Sequence, residues 1–383
     1  MAVRVRVAPE VLDWVVERSA KETDYFAHKY PKWQAWLSGR ANPTMKQVEE
    51  LARAAGVPFG YLLLQRPPEV ELPVPDFREG FAGHPGDPSS DLLAVVNQSI
   101  RRQDWYRDYA EENGLPEVGV VATGTDRAPV EVAAQMRAAL NFEVTSRAGT
   151  WSDVRKHLLR AFEELGGLTV ATSMVENNTH RLLDPDEFRG FSLVDPLAPL
   201  VFVNTRQTLN GQIFTLAHEY AHVWLGRGGV SLEDPKWEPQ GDIERWCNAT
   251  ASEFLVPHEA LETHYPQVKD LDLTEQLDHL ARFFKCGTLV ILQALRRDNL
   301  RSFHDFEADY DAETDRLREL VTDRPSGRGN HFANQPFRIG ERFSRAIISD
   351  ALSGGTALTD AIRLTSLKSL SSFDTYAEQL GVA

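Results

Sequence analysis

Cysteine is almost missing from this 383-residue chain: only Cys247 and Cys286 occur. No disulfide framework can therefore support the fold, and two thiols alone cannot close a structural zinc site. The scarcity fits a reducing compartment. No run approaches the ~18 apolar residues needed to span a bilayer. The opening M-A-V-R-V-R-V-A-P-E also lacks the apolar stretch of a secretory signal. A cytoplasmic location without membrane contact is expected. Repeats at solenoid periods and low-complexity tracts are likewise absent. Positive charge is in deficit, with a net charge of -15, which argues against a surface that coats nucleic acid throughout. The deficit is uneven: residues 1–66 hold ten Lys/Arg against seven Asp/Glu, a balance of +3 that leaves -18 for the remainder. A small positive unit of this kind would suit weak DNA contact by residues 1–66, or ordinary surface scatter.

What is present is an ordinary globular balance, 42% apolar and 25% charged, with room for two or three domains. From Pro9 to Gln65 the chain reads as short helices, V-L-D-W-V-V-E-R, K-W-Q-A-W-L-S-G and P-T-M-K-Q-V-E-E-L-A-R-A-A-G. Gly39 and Gly56 stand at helix ends, and Pro43 and Thr44 mark a helix start. A helical domain over residues 1–66 is expected, with Trp33 and Trp36 in its core rather than serving as base-stacking platforms. Residues 67–90 are dense in Pro and Gly and predict a linker or an extended strap. Residues 91–300 begin with a helical lead-in and change period at G-G-L-T-V-A-T, F-R-G-F-S-L-V-D and P-L-V-F-V-N, three β-rich runs. The last of these reads either as a core strand or as an edge strand to which an extended substrate would pair. Two helices follow, N-G-Q-I-F-T-L-A-H-E-Y-A-H-V-W-L and D-I-E-R-W-C-N-A-T-A-S-E-F-L, separated by a Gly, Pro and Asp-rich loop over residues 226–241. Residues 301–383 hold an acidic stretch, a polar loop around P-S-G-R-G-N and a final helical unit from about Ile339, which reads as a packing domain. The expected class is α+β, mainly helical, with a small sheet beside metal-binding helices.

The chemistry concentrates at T-L-A-H-E-Y-A-H. On a helix, positions i and i+4 share a face, so His218 and His222 can offer two imidazole nitrogens to one ion, with Glu219 on the same edge. A catalytic zinc needs a third protein ligand and an open position. Glu244 opens the next helix 22 residues after His222 and is the candidate. Asn248 falls on the same face four residues later, placed to accept the N–H of a ligating imidazole. Leu216, Tyr220, Ala221 and Trp224 should face a core. Cys247 reads as a small buried packing group, and His258, His264 and Tyr265 as surface or packing residues. Arg181 and Arg189 read as partners of Asp184, Asp186 or Glu187, with a substrate or interdomain clamp as the alternative.

F-T-L-A-H-E-Y-A-H-V-W-L-G and E-R-W-C-N-A-T-A-S-E-F-L-V-P resemble the zinc helix and third-ligand helix of the ImmA/IrrE group of zinc metallopeptidases, and the likeness extends upstream through N-N-T-H-R-L-L-D-P-D-E-F-R-G-F-S-L-V-D-P-L-A-P-L-V-F-V-N. The resemblance implies a zincin-like core, with Zn2+ held by His218, His222 and Glu244 and with Glu219 as general base. The N-terminal W-x-x-G-x-x-x-P-T, followed by E-E-L-A-R-A-A-G-V-P and P-P-E-V-E-L-P-V-P-D-F-R, resembles an XRE-type helix-turn-helix domain fused ahead of such peptidases. One departure is visible. The segment between Trp14 and Trp36 is several residues shorter than the usual spacing, and the run from Asp24 to Pro31 interrupts the expected recognition region. The resemblance implies a regulatory endopeptidase that cleaves a helix-turn-helix repressor or similar protein in a stress, mobile-element or toxin-antitoxin circuit. Its alternative is a non-catalytic antitoxin or transcriptional regulator that binds a toxin, such as a nuclease, or DNA.

Overall fold

The computed structural model describes residues 3–19, 24–78, 87–232, 241–322 and 338–382. The polar loop at 325–330 and parts of the 67–90 and 226–241 segments lie outside these residues. The chain divides into two compact units, Met1–Pro73 with Gly86–Val96, and Val74–Pro85 with Asn97–Ala383. No helix among the described residues is long and apolar enough to cross a membrane.

The first unit holds α1 (Pro9–Arg18), α2 (Tyr25–Lys29), α3 (Trp33–Leu37) and α4 (Met45–Ala55). Helix α4 starts where Pro43 and Thr44 predict. The Thr44 side chain accepts the Gln47 N–H, and the Gln47 side chain accepts the Thr44 N–H at 2.9 Å, which satisfies two of the helix's orphan donors. Trp14, Phe26, Trp33 and Trp36 all enter the core with Leu51, and Phe26 stacks on Trp33 at 5.4 Å between centroids. Helices α2 and α3 are only five residues each, and both tryptophans of α3 are buried within the unit's own core.

Chain order continues with α5 (Ser90–Glu112), α6 (Pro129–Ala139), α7 (Trp151–Glu164), β1 (Leu168–Thr172), β2 (Gly190–Leu193), β3 (Leu200–Asn204), α8 (Leu209–Leu225) and β4 (Val230–Ser231). Then come α9 (Asp242–Leu255), α10 (His258–His264), α11 (Leu273–Phe284), α12 (Thr288–Arg297), α13 (Phe306–Thr322), α14 (Glu341–Ser353), α15 (Leu358–Leu364) and α16 (Leu370–Leu380). Helices dominate and the sheet is small and mixed, an α+β arrangement as expected.

Strand order is β1-β3-β2-β4. Strand β3 runs parallel to β1 in the register Leu168↔Leu200 and antiparallel to β2 in the register Phe191↔Phe202. The two phenyl rings of that second pair stack at 4.5 Å. P-L-V-F-V-N is therefore a core strand: it has a partner on each side and all five residues of β3 are buried, so it cannot accept a substrate strand. The sheet continues beyond β4. Phe77 N–H donates to Val230 O and Val230 N–H donates to Pro75 O, both at 2.9 Å, so part of the 67–90 segment is a strap paired to the edge strand.

The C-terminal helices dock on this unit through polar anchors. Arg102 of α5 is fully buried and donates to the Leu364 carbonyl at 2.9 Å and to the Ser366 hydroxyl at 3.1 Å. At the end of α7, the Glu163 carboxylate accepts the backbone N–H groups of Glu341 and Arg342 at 3.2 Å, capping α14 from outside, and also accepts the Thr169 hydroxyl. Burial outweighs these bonds and pushes the Glu163 carboxyl up from 4.5 to about 7. Because the folded state holds this proton more tightly than the unfolded chain, stability is greatest below pH 4.5 for this group and falls as pH rises towards 7. Glu163→Gln should flatten that slope in urea midpoints measured between pH 4.5 and 7. An unchanged slope would show that another group titrates there.

Candidate metal centre

Helix α8 is apolar on nearly every side, and the sequence explains its burial on both flanks. The Thr208 side chain accepts the Gly211 N–H at its start, and the chain turns out of the helix at Gly226, φ +75°. On the core side Leu216, Tyr220, Ala221 and Trp224 are buried, as the pattern predicts. The Tyr220 hydroxyl donates to the Leu158 carbonyl at 2.9 Å, and its ring stacks on Phe162 at 4.7 Å. This fixes the rotation of α8 and therefore the direction of its other edge.

That other edge carries His218, Glu219 and His222, all fully buried. Helix α9 brings Glu244 to them in its first turn, where an acid also suits the positive end of the helix dipole. His218 Nε2 lies 3.1 Å from His222 Nε2 and 3.1 Å from Glu244 Oε2, and His222 Nε2 lies 3.0 Å from Glu244 Oε1. Among the described residues, these three form the one group of His, Cys, Asp or Glu side chains able to hold a metal ion. The donor set fits an ion. Ligands held about 2.1 Å from a tetrahedral centre stand roughly 3.4 Å apart, close to the separations here. Two imidazole nitrogens and a carboxylate that converge in a buried site need a shared cation, a proton or a metal ion, to satisfy them.

His222 is fixed at its far nitrogen. Nδ1–H donates to the Arg227 carbonyl at 2.7 Å, which turns Nε2 towards the site. Burial disfavours the imidazolium of His222, but the hydrogen bond and charge of Glu244 win and raise its pKa to about 9. Burial likewise opposes ionisation of Glu244, yet the two imidazoles hold its carboxyl down at about 2. The trio therefore keeps its carboxylate ionised and holds a proton at His222, which a bound cation would have to displace.

Asn248 lies one turn beyond Glu244, and its buried Oδ1 has no hydrogen-bond partner among the described residues. At His222 the Nδ1–H is accepted by the Arg227 carbonyl. Cys247 is fully buried in the apolar core, and burial pushes its thiol well above its usual pKa. His258 sits outside the donor group, ion-paired to Asp298 at 3.2 Å and to Glu262 at 3.5 Å. His264 stacks on Phe283, and Tyr265 packs at the margin of the core. Glu187 pairs with Arg78 at 3.5 Å.

Two contributors escaped the sequence reading. Ser231 of β4 places Oγ 3.4 Å from His222 Nε2. Gly190 of β2 lies directly against the base of the site: a Cβ there would stand 2.9 Å from Glu219 Oε1 and 2.6 Å from Thr215 Cγ2. The missing side chain lets Glu219 pack against the sheet. Gly190→Ala should cost about 1–3 kcal/mol through overpacking, read as a lower urea midpoint. An unchanged midpoint would mean that the space behind Glu219 is open.

Residues 162–296 match the model of the IrrE N-terminal-like domain (Peptidase_M78), a segment that contains His218, Glu219, His222 and Glu244. Residues 339–379, most of α14 to α16, match a domain of unknown function (DUF8813). No curated protein matches the chain. The match over residues 162–296, joined to a buried His–His–Glu cluster compatible with a metal ion, supports the ImmA/IrrE family for this part of the chain.

Proposed function

We propose that this protein is a zinc-dependent regulatory endopeptidase. The observation that carries the reading is the convergence of His218, His222 and Glu244 within about one ligand-to-ligand distance, with Glu219 between the two histidines on the same helix. A bound zinc ion would supply Lewis acidity, polarising a peptide carbonyl and acidifying water. His218 and His222 would offer Nε2 to it, and Glu244 its carboxylate. The Glu219 carboxylate takes the proton of the attacking water and delivers it to the nitrogen of the departing amine. Its complete burial keeps that transfer away from bulk solvent, and its proximity to Gly190 limits the positions the side chain can adopt.

The substrate follows from the family resemblance: a helix-turn-helix repressor or a similar regulatory protein, in a stress, mobile-element or toxin-antitoxin circuit. A carboxylate base beside the donor trio is what hydrolysis requires and what a pure binding module does not, so the catalytic reading is favoured over the antitoxin one. The test pairs the wild type with Glu219→Gln on a candidate repressor. The amide should retain the wild-type metal content while cleavage slows by about 10²–10⁴-fold, the usual contribution of a positioned base. Equal loss of the repressor with both proteins, at equal metal content, would overturn the peptidase reading.

A further inference from the structure

His222 is held by more than its hydrogen bond to Arg227. The strap that extends the sheet beyond β4 brings Phe77 over the imidazole, with ring centroids 5.4 Å apart and planes only 8° from parallel. Three local features place that ring. The strap is paired to Val230 on both sides of Asp76, through Pro75 O and Phe77 N–H. Arg78 is fully buried, with its guanidinium bonded to Asp76 at 2.7 and 2.8 Å and facing Glu187 at 3.5 Å, so the residue after Phe77 is anchored by charge. Gly229 leaves the room: a Cβ there would stand 2.5 Å from Phe77 Cε2 and 2.6 Å from the Pro75 carbonyl.

We infer that Phe77 is a positioning residue for the metal ligand His222, and that the strap from Pro75 to Arg78 is part of the metal centre. The inference rests on the metal-site reading proposed above and extends it to residues well upstream of the matched segment, which begins at 162. The physical need is specific. An imidazole rotates about χ2 through a broad, roughly two-fold well. The Nδ1–H bond to Arg227 sets the tautomer but leaves the ring free to rock about that bond. A parallel aromatic face removes the rocking and keeps water off one side of the ring. Nε2 then stays directed at His218 Nε2 and Glu244, and the donors are set before the ion arrives.

The test compares the full chain with Phe77→Leu, which keeps apolar bulk without the ring, Phe77→Tyr, which keeps the ring, and Gly229→Ala, which displaces the ring without altering it. Zinc affinity is measured by chelator competition, and the ligand field by the visible spectrum of the cobalt-substituted protein. Phe77→Leu and Gly229→Ala should bind zinc about 10–100-fold more weakly, the usual cost of losing an outer-shell partner, with shifted cobalt bands. Phe77→Tyr should match the wild type in both. Wild-type affinity and spectrum in Phe77→Leu or in Gly229→Ala would overturn this inference alone. A wild-type chain that binds neither zinc nor cobalt would overturn the metal-site reading and this inference with it.

Discussion

Everything distinctive about the second unit depends on a contact that only a shared proton or metal ion can satisfy: two imidazoles and a carboxylate, all buried, brought within 3.1 Å of one another between α8 and α9. Burying three such groups costs several kcal/mol unless they are paired or metal-bound. The surrounding structure is arranged to impose the contact. Helix α8 is held from behind by Tyr220 on Leu158 and Phe162, so its reactive edge cannot turn away. Helix α9 packs against both α6 and α8, and Cys247 and Phe254 on its apolar face lie in the same core as Leu216 and Tyr220.

The sheet serves that site more than it serves as a core in its own right. Its buried β3 supplies a platform, and β2 approaches α8 so closely at Gly190 that only a residue without Cβ fits beside Glu219. Strand β4 is two residues long, yet it carries Ser231 towards His222 and receives the Pro75–Phe77 strap on its outer edge. A peptidase substrate that pairs with a strand thus finds β3 and the inner edges taken. The C-terminal helices attach to the end of α7 through Glu163, the residue after Phe162, so one helix contributes both a wall behind Tyr220 and a cap for α14.

How much of this could be read from the sequence follows from how local each feature is. H-E-x-x-H is legible because a helix places i and i+4 on one face, and Glu244 because an acid opens the next apolar-periodic helix. The three long β runs show through their composition. The order of the strands does not, since periodicity carries no information about neighbours, and P-L-V-F-V-N could be read as an edge when it lies between two strands. Arg227 acts through its backbone carbonyl, which has no side-chain signature, so its bond to His222 Nδ1–H could not be read from the sequence. Gly190, Gly229 and Phe77 acquire meaning only through contacts with residues distant in sequence. Pro75–Arg78 sits in a stretch whose Pro content masks its strand character.

The proposed metal centre consists of two imidazoles and one carboxylate and is closed without sulfur, although Cys247 lies three residues from Glu244. X-ray absorption at the zinc edge of the purified full chain tests this directly. The proposed centre calls for a first shell of nitrogen and oxygen alone at about 2.0–2.1 Å, with the outer-shell scattering of two histidines. A sulfur neighbour at about 2.3 Å would contradict it, since only a cysteine thiolate in the shell could produce that distance.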